Sequence, residues 1–106
     1  MYCMTVEYPK TEGSHFDYDY YRDVHMPLCA RLFAGRGFRG SVMRTGGGKG
    51  PGSGDLNWVS LDLVFDSPEQ LQAALAAGGA EITADVPRYT DVRPRMSFAE
   101  IALEVS

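Results

Sequence analysis

The order of hydrophobic patterns along the chain predicts an α+β protein of the ferredoxin-like βαββαβ class. Segments that alternate apolar and polar residues are separated by helical patterns in the order strand, helix, strand, strand, helix, strand. The 106 residues suit a single domain over 1–106. A glycine-rich stretch between the second and third strand patterns is typical of a hairpin connection. We therefore expect a four-stranded antiparallel sheet with both helices on one face.

The first strand and the first helix are defined by clear start and stop signals. The strand covers residues 2–8, which alternate in polarity, and it ends at Pro9. The Asp17 carboxylate is placed to cap a helix that runs to about Phe33, with Phe16 as the hydrophobic residue before the cap. Pro27 lies inside this helix and predicts a kink just after His25. The predicted apolar stripe of the helix consists of Tyr20, Tyr21, Val24, Leu28 and Leu32.

The central part of the chain predicts a hairpin. Gly35 and Gly37 end the first helix, and residues 38–45 form the second strand. Residues 46–54 are rich in glycine and predict a flexible loop without catalytic chemistry. The third strand covers 58–65. One of its faces carries Val59, Leu61, Leu63 and Phe65, and the other carries Trp58, Ser60, Asp62 and Val64.

The last third of the chain predicts a second helix and a fourth strand. Ser67 and Gln70 form a capping box at the helix start, and Leu71, Ala74 and Leu75 supply its buried face. Gly78 and Gly79 are expected to end this helix, with a short helical turn over 80–86 that Pro87 closes. The fourth strand covers about 95–105. Its alternation changes phase, which a bulge near Ala99 and Glu100 would explain, as would a strand whose two halves face different neighbours.

Two helices can cover only one face of such a sheet. The opposite face carries Trp58 and Val64, and an apolar surface of this kind usually binds a partner. We therefore predict a homodimer in which the helix-free faces stack and enclose a cavity for a small organic ligand.

Composition excludes several classes of function. The net charge of −4 argues against nucleic-acid binding, and no 18-residue apolar run predicts a membrane span. The N-terminus lacks the pattern of a signal peptide, and Cys3 and Cys29 are too few for a disulfide scaffold, which favours a cytoplasmic setting. The chain contains no P-loop, GxGxxG, HExxH or GxSxG motif. No cofactor and no metal site are therefore predicted.

The most informative stretch for chemistry is residues 16–28. Tyr21 and His25 are four apart, so their side chains meet on one face of a helix. An imidazole beside a phenol and a proline kink suits a general acid or base. The alternative is a histidine on the helix flank that only hydrogen-bonds a local carbonyl.

The run from Asp17 to Leu28, with Tyr-Tyr followed by His-x-Pro-Leu, resembles the EthD-like family of the dimeric α/β-barrel superfamily. Further matches follow in order at Val6-Glu7-Tyr8-Pro9, at Phe65-Asp66-Ser67 and at residues 85–91, so the resemblance spans essentially the whole chain. It implies a ferredoxin-like fold and a homodimer. EthD proteins are associated with bacterial ether degradation, and relatives in the superfamily include cofactor-free isomerases, cyclases, decarboxylases and small monooxygenases. The reaction must still be argued from the site.

Asp62 is the second candidate for chemistry. A dimer covering its face would enclose the carboxylate and favour a role as a base, whereas on an uncovered face Asp62 and Ser60 are simply solvated. Trp58 is placed to stack on a flat ligand or to form a cavity wall. The remaining candidate contacts to a ligand are Ser60, Thr5, Tyr89 and Thr90.

Three functions remain open at this point. The first is a cofactor-free isomerase, cyclase or decarboxylase of a catabolic or biosynthetic pathway, acting on a small, partly apolar carbonyl or phenolic compound. In it His25 moves the proton, Tyr21 orients the proton or stabilises an oxyanion, and Asp62 assists. The second is a non-catalytic carrier that serves a partner enzyme such as a monooxygenase. The third is haem-linked oxygen chemistry, for which His25 is the candidate axial ligand.

Overall fold

The computed structural model describes residues 1–46 and 56–102 and confirms the ferredoxin-like fold. Its strands are β1 (Tyr2–Pro9), β2 (Phe38–Thr45), β3 (Asn57–Phe65) and β4 (Arg95–Glu100). They form one antiparallel sheet in the order β2-β3-β1-β4. Most of the predicted 46–54 loop lies outside the described residues.

The first helical region is continuous but contains a π turn. It consists of α1 (Tyr18–Tyr20), a π-helical segment (Tyr21–His25) and α2 (Met26–Phe33). The Asp17 carboxylate accepts the Tyr20 N–H at 3.1 Å, as predicted for the cap. The expected kink at the proline takes the form of the π turn, in which the Met26 N–H donates to the carbonyl five residues earlier. Pro27 follows directly and has no N–H to continue an α-helical ladder.

The buried stripe of this region differs from the prediction. Val24 is 45% exposed, so its placement in the core was wrong. The π turn holds one more residue than an α turn, which rotates the helix face that follows it. The residues that become buried are spaced at intervals of four: Tyr21, His25, Cys29 and Phe33.

The second long helix is α3 (Pro68–Asp85), followed by a 3₁₀ turn at Val86–Arg88. The Ser67 hydroxyl accepts the Gln70 N–H, which confirms the predicted start. The predicted end at Gly78 and Gly79 was wrong, because the helix continues through both. Gly78 instead allows α3 to approach α2 closely, since a Cβ at this position would lie 2.9 Å from the Cβ of Leu32 in α2.

The register of the strands assigns residues to the two faces of the sheet. Met4 pairs with Leu63, and both are buried beneath the helices. Thr5 pairs with Asp62 on the helix-free face. β4 pairs with β1 through Glu100 without a shift of register, so no bulge interrupts the strand up to that residue, where the described part of β4 ends. Residues 103–105 of that prediction lie outside the described part of the chain.

Within the described ranges, no helix is both long enough and apolar enough to cross a membrane.

Candidate functional site

His25 and Asp85 form a pair between the sheet and the helices, in which His25 is buried and Asp85 is partly buried. His25 is 2% exposed, and its Nδ1 lies 2.9 Å from Oδ2 of Asp85. The other carboxylate oxygen, Oδ1, accepts a hydrogen bond of 2.8 Å from the Tyr20 hydroxyl. The π segment ends at His25 and α3 ends at Asp85, so the two helical regions bring the pair together. A carboxylate on Nδ1 fixes the orientation of the imidazole.

The environment of this pair favours a neutral imidazole. Burial lowers the pKa of His25 below its ordinary value, although the hydrogen bond and the charge of Asp85 oppose that shift. Burial alone would raise the pKa of Asp85, but the hydrogen bonds from His25 and Tyr20 outweigh it and lower the pKa. At neutral pH, Nδ1–H therefore donates to an ionised carboxylate, and Nε2 carries a lone pair.

Two buried phenols continue the chain of hydrogen bonds from Nε2. The Tyr89 hydroxyl lies 3.3 Å from Nε2 of His25 and 2.6 Å from the Tyr8 hydroxyl. Burial raises the pKa of Tyr8 to about 12 and also raises the pKa of Tyr89, so both remain protonated at neutral pH. We call this hydrogen-bonded chain the relay; it consists of Tyr8, Tyr89, His25 and Asp85.

Tyr21 contacts the relay through its ring. It stacks on the His25 imidazole with centroids 5.2 Å apart and planes inclined by 20°. Burial raises the pKa of Tyr21, and its hydroxyl makes no hydrogen bond of good geometry with a described residue. The side chains of Tyr21 and His25 thus meet on one face of the helical region, as the sequence predicted.

A cavity of about 60 Å³ lies beside the relay, between the sheet and the helices. About two water molecules would fill this volume, so a larger ligand requires the walls to move. Burial raises the pKa of the Cys29 thiol in this wall to about 12, which keeps it protonated. Most of the lining is apolar, and its polar side chains include Tyr8, His25 and Thr83. This cavity lies within one chain, whereas the sequence predicted a cavity between two stacked sheets.

Asp62 is not part of this site. It lies on the helix-free face, where the Thr5 hydroxyl donates to its Oδ1 at 2.8 Å and Arg44 is 3.6 Å from its Oδ2. The sheet separates it from His25, since the Thr5–Asp62 register faces away from the helices. Of the three predicted catalytic residues, the structure brings together His25 and Tyr21 but not Asp62.

The predicted ligand contacts are also distributed over several places. Trp58 donates to the Ser14 hydroxyl at 3.1 Å and packs beneath the ammonium of Lys10. Ser60 neighbours Asn57 on the sheet. The Thr90 hydroxyl donates to the backbone carbonyl of residue 15 at 2.7 Å and so fixes the local turn. Among these candidates, Tyr89 joins the relay.

Sequence reasoning missed Asp85, Tyr8 and Tyr20 as members of this site. Asp85 was hidden because the helix that carries it was expected to end at the glycines. One signal was available, since Asp85 and Tyr89 are four residues apart in a segment that the family resemblance includes. Within residues 1–46 and 56–102, no group of three or more His, Cys, Asp or Glu side chains is placed to hold a metal ion.

The comparisons with known proteins identify relatives through structure. A scan against family models finds no match, and no curated protein matches the chain. The crystal structure of an EthD-like protein from Ralstonia eutropha matches with 33% identity and a TM-score of 0.87, over 99% of this chain and 95% of that one. An EthD family protein from Bacillus halodurans matches with 19% identity and a TM-score of 0.72, over 95% of this chain and 98% of that one.

A third solved structure is a variant of SnoaB, described as a cofactor-independent oxygenase from Streptomyces nogalater. It has 10% identity and a TM-score of 0.66 over 98% of this chain and 95% of that one, a likeness that shows the fold. The match to the Ralstonia protein extends over nearly the full length of both chains at an identity that shows common family membership. The chain belongs to the EthD-like family.

Proposed function

We propose that this chain binds a small, partly apolar carbonyl or phenolic compound in the cavity beside the relay and catalyses a cofactor-free proton transfer on it. The reaction class is isomerisation, cyclisation or decarboxylation. The observation that carries the proposal is a buried, neutral His25 whose Nδ1 is fixed by Asp85 at the wall of an apolar cavity.

Each member of the site has a role in this mechanism. Asp85 holds the imidazole in one tautomer and stabilises the imidazolium that forms when Nε2 gains a proton. The Tyr21 ring packs on the imidazole and limits its rotation. The apolar lining excludes water, so a charge formed on the ligand is stabilised by the fixed phenols instead of by solvent. The SnoaB fold likeness is consistent with chemistry that needs no cofactor.

A second candidate, a non-catalytic binding protein, is favoured by one observation. Both ring nitrogens of His25 are already engaged by Asp85 and Tyr89, so the imidazole offers no free lone pair to a ligand in this arrangement. A protein that only carries its ligand to a partner enzyme requires nothing more than the apolar cavity.

We also propose that two chains form a homodimer through the helix-free faces of their sheets. Val42, which is 57% exposed, projects from that face beside Asp62. Burial of several hundred Å² of apolar surface would contribute about 25 cal/mol per Å² before the costs of association are subtracted. In this dimer Thr5 and Asp62 would lie between the two sheets.

Turnover separates the enzyme from the carrier. Small phenols, 1,3-diketones and aromatic carboxylic acids are screened for binding by thermal shift, and the compounds that bind are incubated with the protein and examined by mass spectrometry. For an enzyme, His25→Gln lowers turnover by about 10²-fold or more, the usual contribution of a general base. His15→Gln is the matched control, because His15 is exposed and pairs with Asp91 away from the cavity.

The outcomes are distinct. Conversion that depends on His25 supports the enzyme. Tight binding without conversion of any bound compound supports the carrier. Full turnover by a folded His25→Gln variant contradicts general-base catalysis by His25.

A further inference from the structure

The direction of every hydrogen bond in the relay follows from the ionised Asp85 carboxylate and the neutral His25 imidazole. An ionised carboxylate can only accept hydrogen bonds. Nδ1 of His25 therefore carries a hydrogen and donates it in the hydrogen bond to Asp85. Since burial keeps the imidazole neutral, Nε2 is an acceptor, and the Tyr89 hydroxyl must donate to it. The single hydrogen of Tyr89 is thereby used.

The contact between the two phenols then has one possible direction. Tyr89 and Tyr8 are joined by a short hydrogen bond of 2.6 Å, and Tyr89 has no second hydrogen to give. Tyr8 is therefore the donor, and its oxygen retains only lone pairs for further partners. The Tyr21 hydroxyl makes no hydrogen bond of good geometry with a described residue and so does not occupy these lone pairs.

The position of Tyr8 connects the relay to the cavity. Tyr8 lines the cavity, while Tyr89 lies behind it and does not contribute to the lining. His25 also lines the cavity, but both of its nitrogens are engaged. Tyr8 is accordingly the relay member through which a bound molecule exchanges a hydrogen bond without disrupting the chain.

We propose that the ligand of this site presents an O–H donor, as a phenol or an enol does, to the oxygen of Tyr8, and that Tyr89 relays the proton from Tyr8 to His25. This inference rests on the proposed function and narrows its ligand class. A plain carbonyl compound or ether offers only an acceptor oxygen. Because the Tyr8 oxygen can also only accept, neither oxygen would find a hydrogen-bond partner in the other.

The transfer along the relay balances. The ligand gives its hydroxyl proton to Tyr8 while Tyr8 gives its own to Tyr89, and Tyr89 gives its proton to Nε2. The products are a ligand oxyanion and an imidazolium whose charge faces the Asp85 carboxylate. Three protons move by one position each, and no oxidant or other reactant is needed. Tyr8 is the catalytic residue of this step, and Tyr89 is a positioning residue that acts through its neighbours.

The test uses 4-fluorophenol and fluorobenzene as probes of the intact protein, with binding measured by ¹⁹F NMR. The two differ by one hydroxyl, and fluorobenzene is the smaller, so a cavity that selects by size alone prefers fluorobenzene. We expect 4-fluorophenol to bind about tenfold more tightly, the ratio that one net hydrogen bond provides. Tyr8→Phe should abolish this preference. Tyr89→Phe instead frees the hydroxyl hydrogen of Tyr8, so 4-fluoroanisole, which offers only an acceptor oxygen, should bind this variant more tightly than it binds the wild type. Tyr18→Phe removes a hydroxyl that donates to the Trp58 carbonyl outside the relay, and it should retain the preference.

Each result decides a different point. Equal or tighter binding of fluorobenzene to the wild type overturns the proposal while leaving ligand binding in the cavity intact. A Tyr89→Phe variant that binds 4-fluoroanisole no more tightly than the wild type does overturns the relay, because the hydrogen of Tyr8 is then not held by Tyr89 in the wild type. If neither probe binds at millimolar concentration, the proposed function fails together with the inference. Loss of the preference in Tyr8→Phe but not in Tyr18→Phe, together with tighter binding of 4-fluoroanisole by Tyr89→Phe, supports the proposal.

Discussion

Alanine at Gly78 and alanine at the adjacent Gly79 should have opposite effects on stability. Both positions are interior to α3, where replacing glycine by alanine stabilises a helix by about 1 kcal/mol. At Gly79 the added methyl group lies 3.8 Å from the Cβ of Leu75, an ordinary contact, so that gain should be retained. At Gly78 the methyl group lies 2.9 Å from the Cβ of Leu32, which the short, rigid stem of that side chain cannot relieve.

Crowding of this kind in a packed interface typically costs about 1–3 kcal/mol. Subtracting the gain in helix propensity leaves Gly78→Ala destabilised by up to about 2 kcal/mol, and separates the two variants by about 1–3 kcal/mol. Urea denaturation followed by circular dichroism measures the free energy of unfolding of each. Equal stabilisation by both substitutions would refute the close contact of α2 with α3, and with it the reason that α3 runs through the glycines.

Three further predictions concern the site and the assembly. Because folding lowers the pKa of His25, the unfolded chain binds that proton more readily, and the free energy of unfolding should fall as the pH drops below 6.5, the ordinary histidine value. The contribution of Asp85 to stability is lost only below its ordinary pKa of 3.8. A fall in the free energy of unfolding between pH 6.5 and 5 that persists in His25→Gln would therefore contradict the assignment to His25. Cys29, with a buried thiol of pKa about 12, should resist iodoacetamide at pH 8 in the native protein and react after unfolding in urea; rapid native modification would show that the cavity wall opens. Val42→Lys should weaken the proposed homodimer in light scattering, whereas Val24→Lys, on the outer helix surface, should not, and a monomeric wild type would exclude the dimer.

The order and type of the elements were predictable because local signals agree with the final structure. The alternating residues of β3, the Asp17 cap and the Ser67 capping box each depend on neighbours within a few positions. Their agreement leaves few topologies for a chain of this length. The family resemblance includes the helix starts at Asp17 and Ser67, and it was confirmed by the match to the Ralstonia structure.

The site was only half predictable, because its geometry depends on two departures from regular local rules. The π turn ends at His25, and the buried residues of this region follow one another at intervals of four instead of along the predicted stripe. Gly78 is required by the close contact of α3 with Leu32 of α2, but in the sequence alone a glycine at this position looks like a helix end. Neither effect is visible in periodicity, since both are decided by contacts between elements.

These two departures together create the chemistry. If α3 ended at Gly78, Asp85 would lie in a turn and no helix would direct its carboxylate to Nδ1 of His25. The π turn ends at His25, whose imidazole is buried on the same face as Tyr21 and therefore needs a polar partner. A buried imidazole without a carboxylate leaves a donor unsatisfied, and a carboxylate beside the cavity without an imidazole is a desolvated charge. The sequence places Pro27 in the first turn of α2, where proline is tolerated, and a glycine pair inside α3, where glycine is unfavourable by local propensity. At Gly78 the local rule fails because α3 packs closely on Leu32 of α2, a contact that the residue pattern of α3 alone does not reveal.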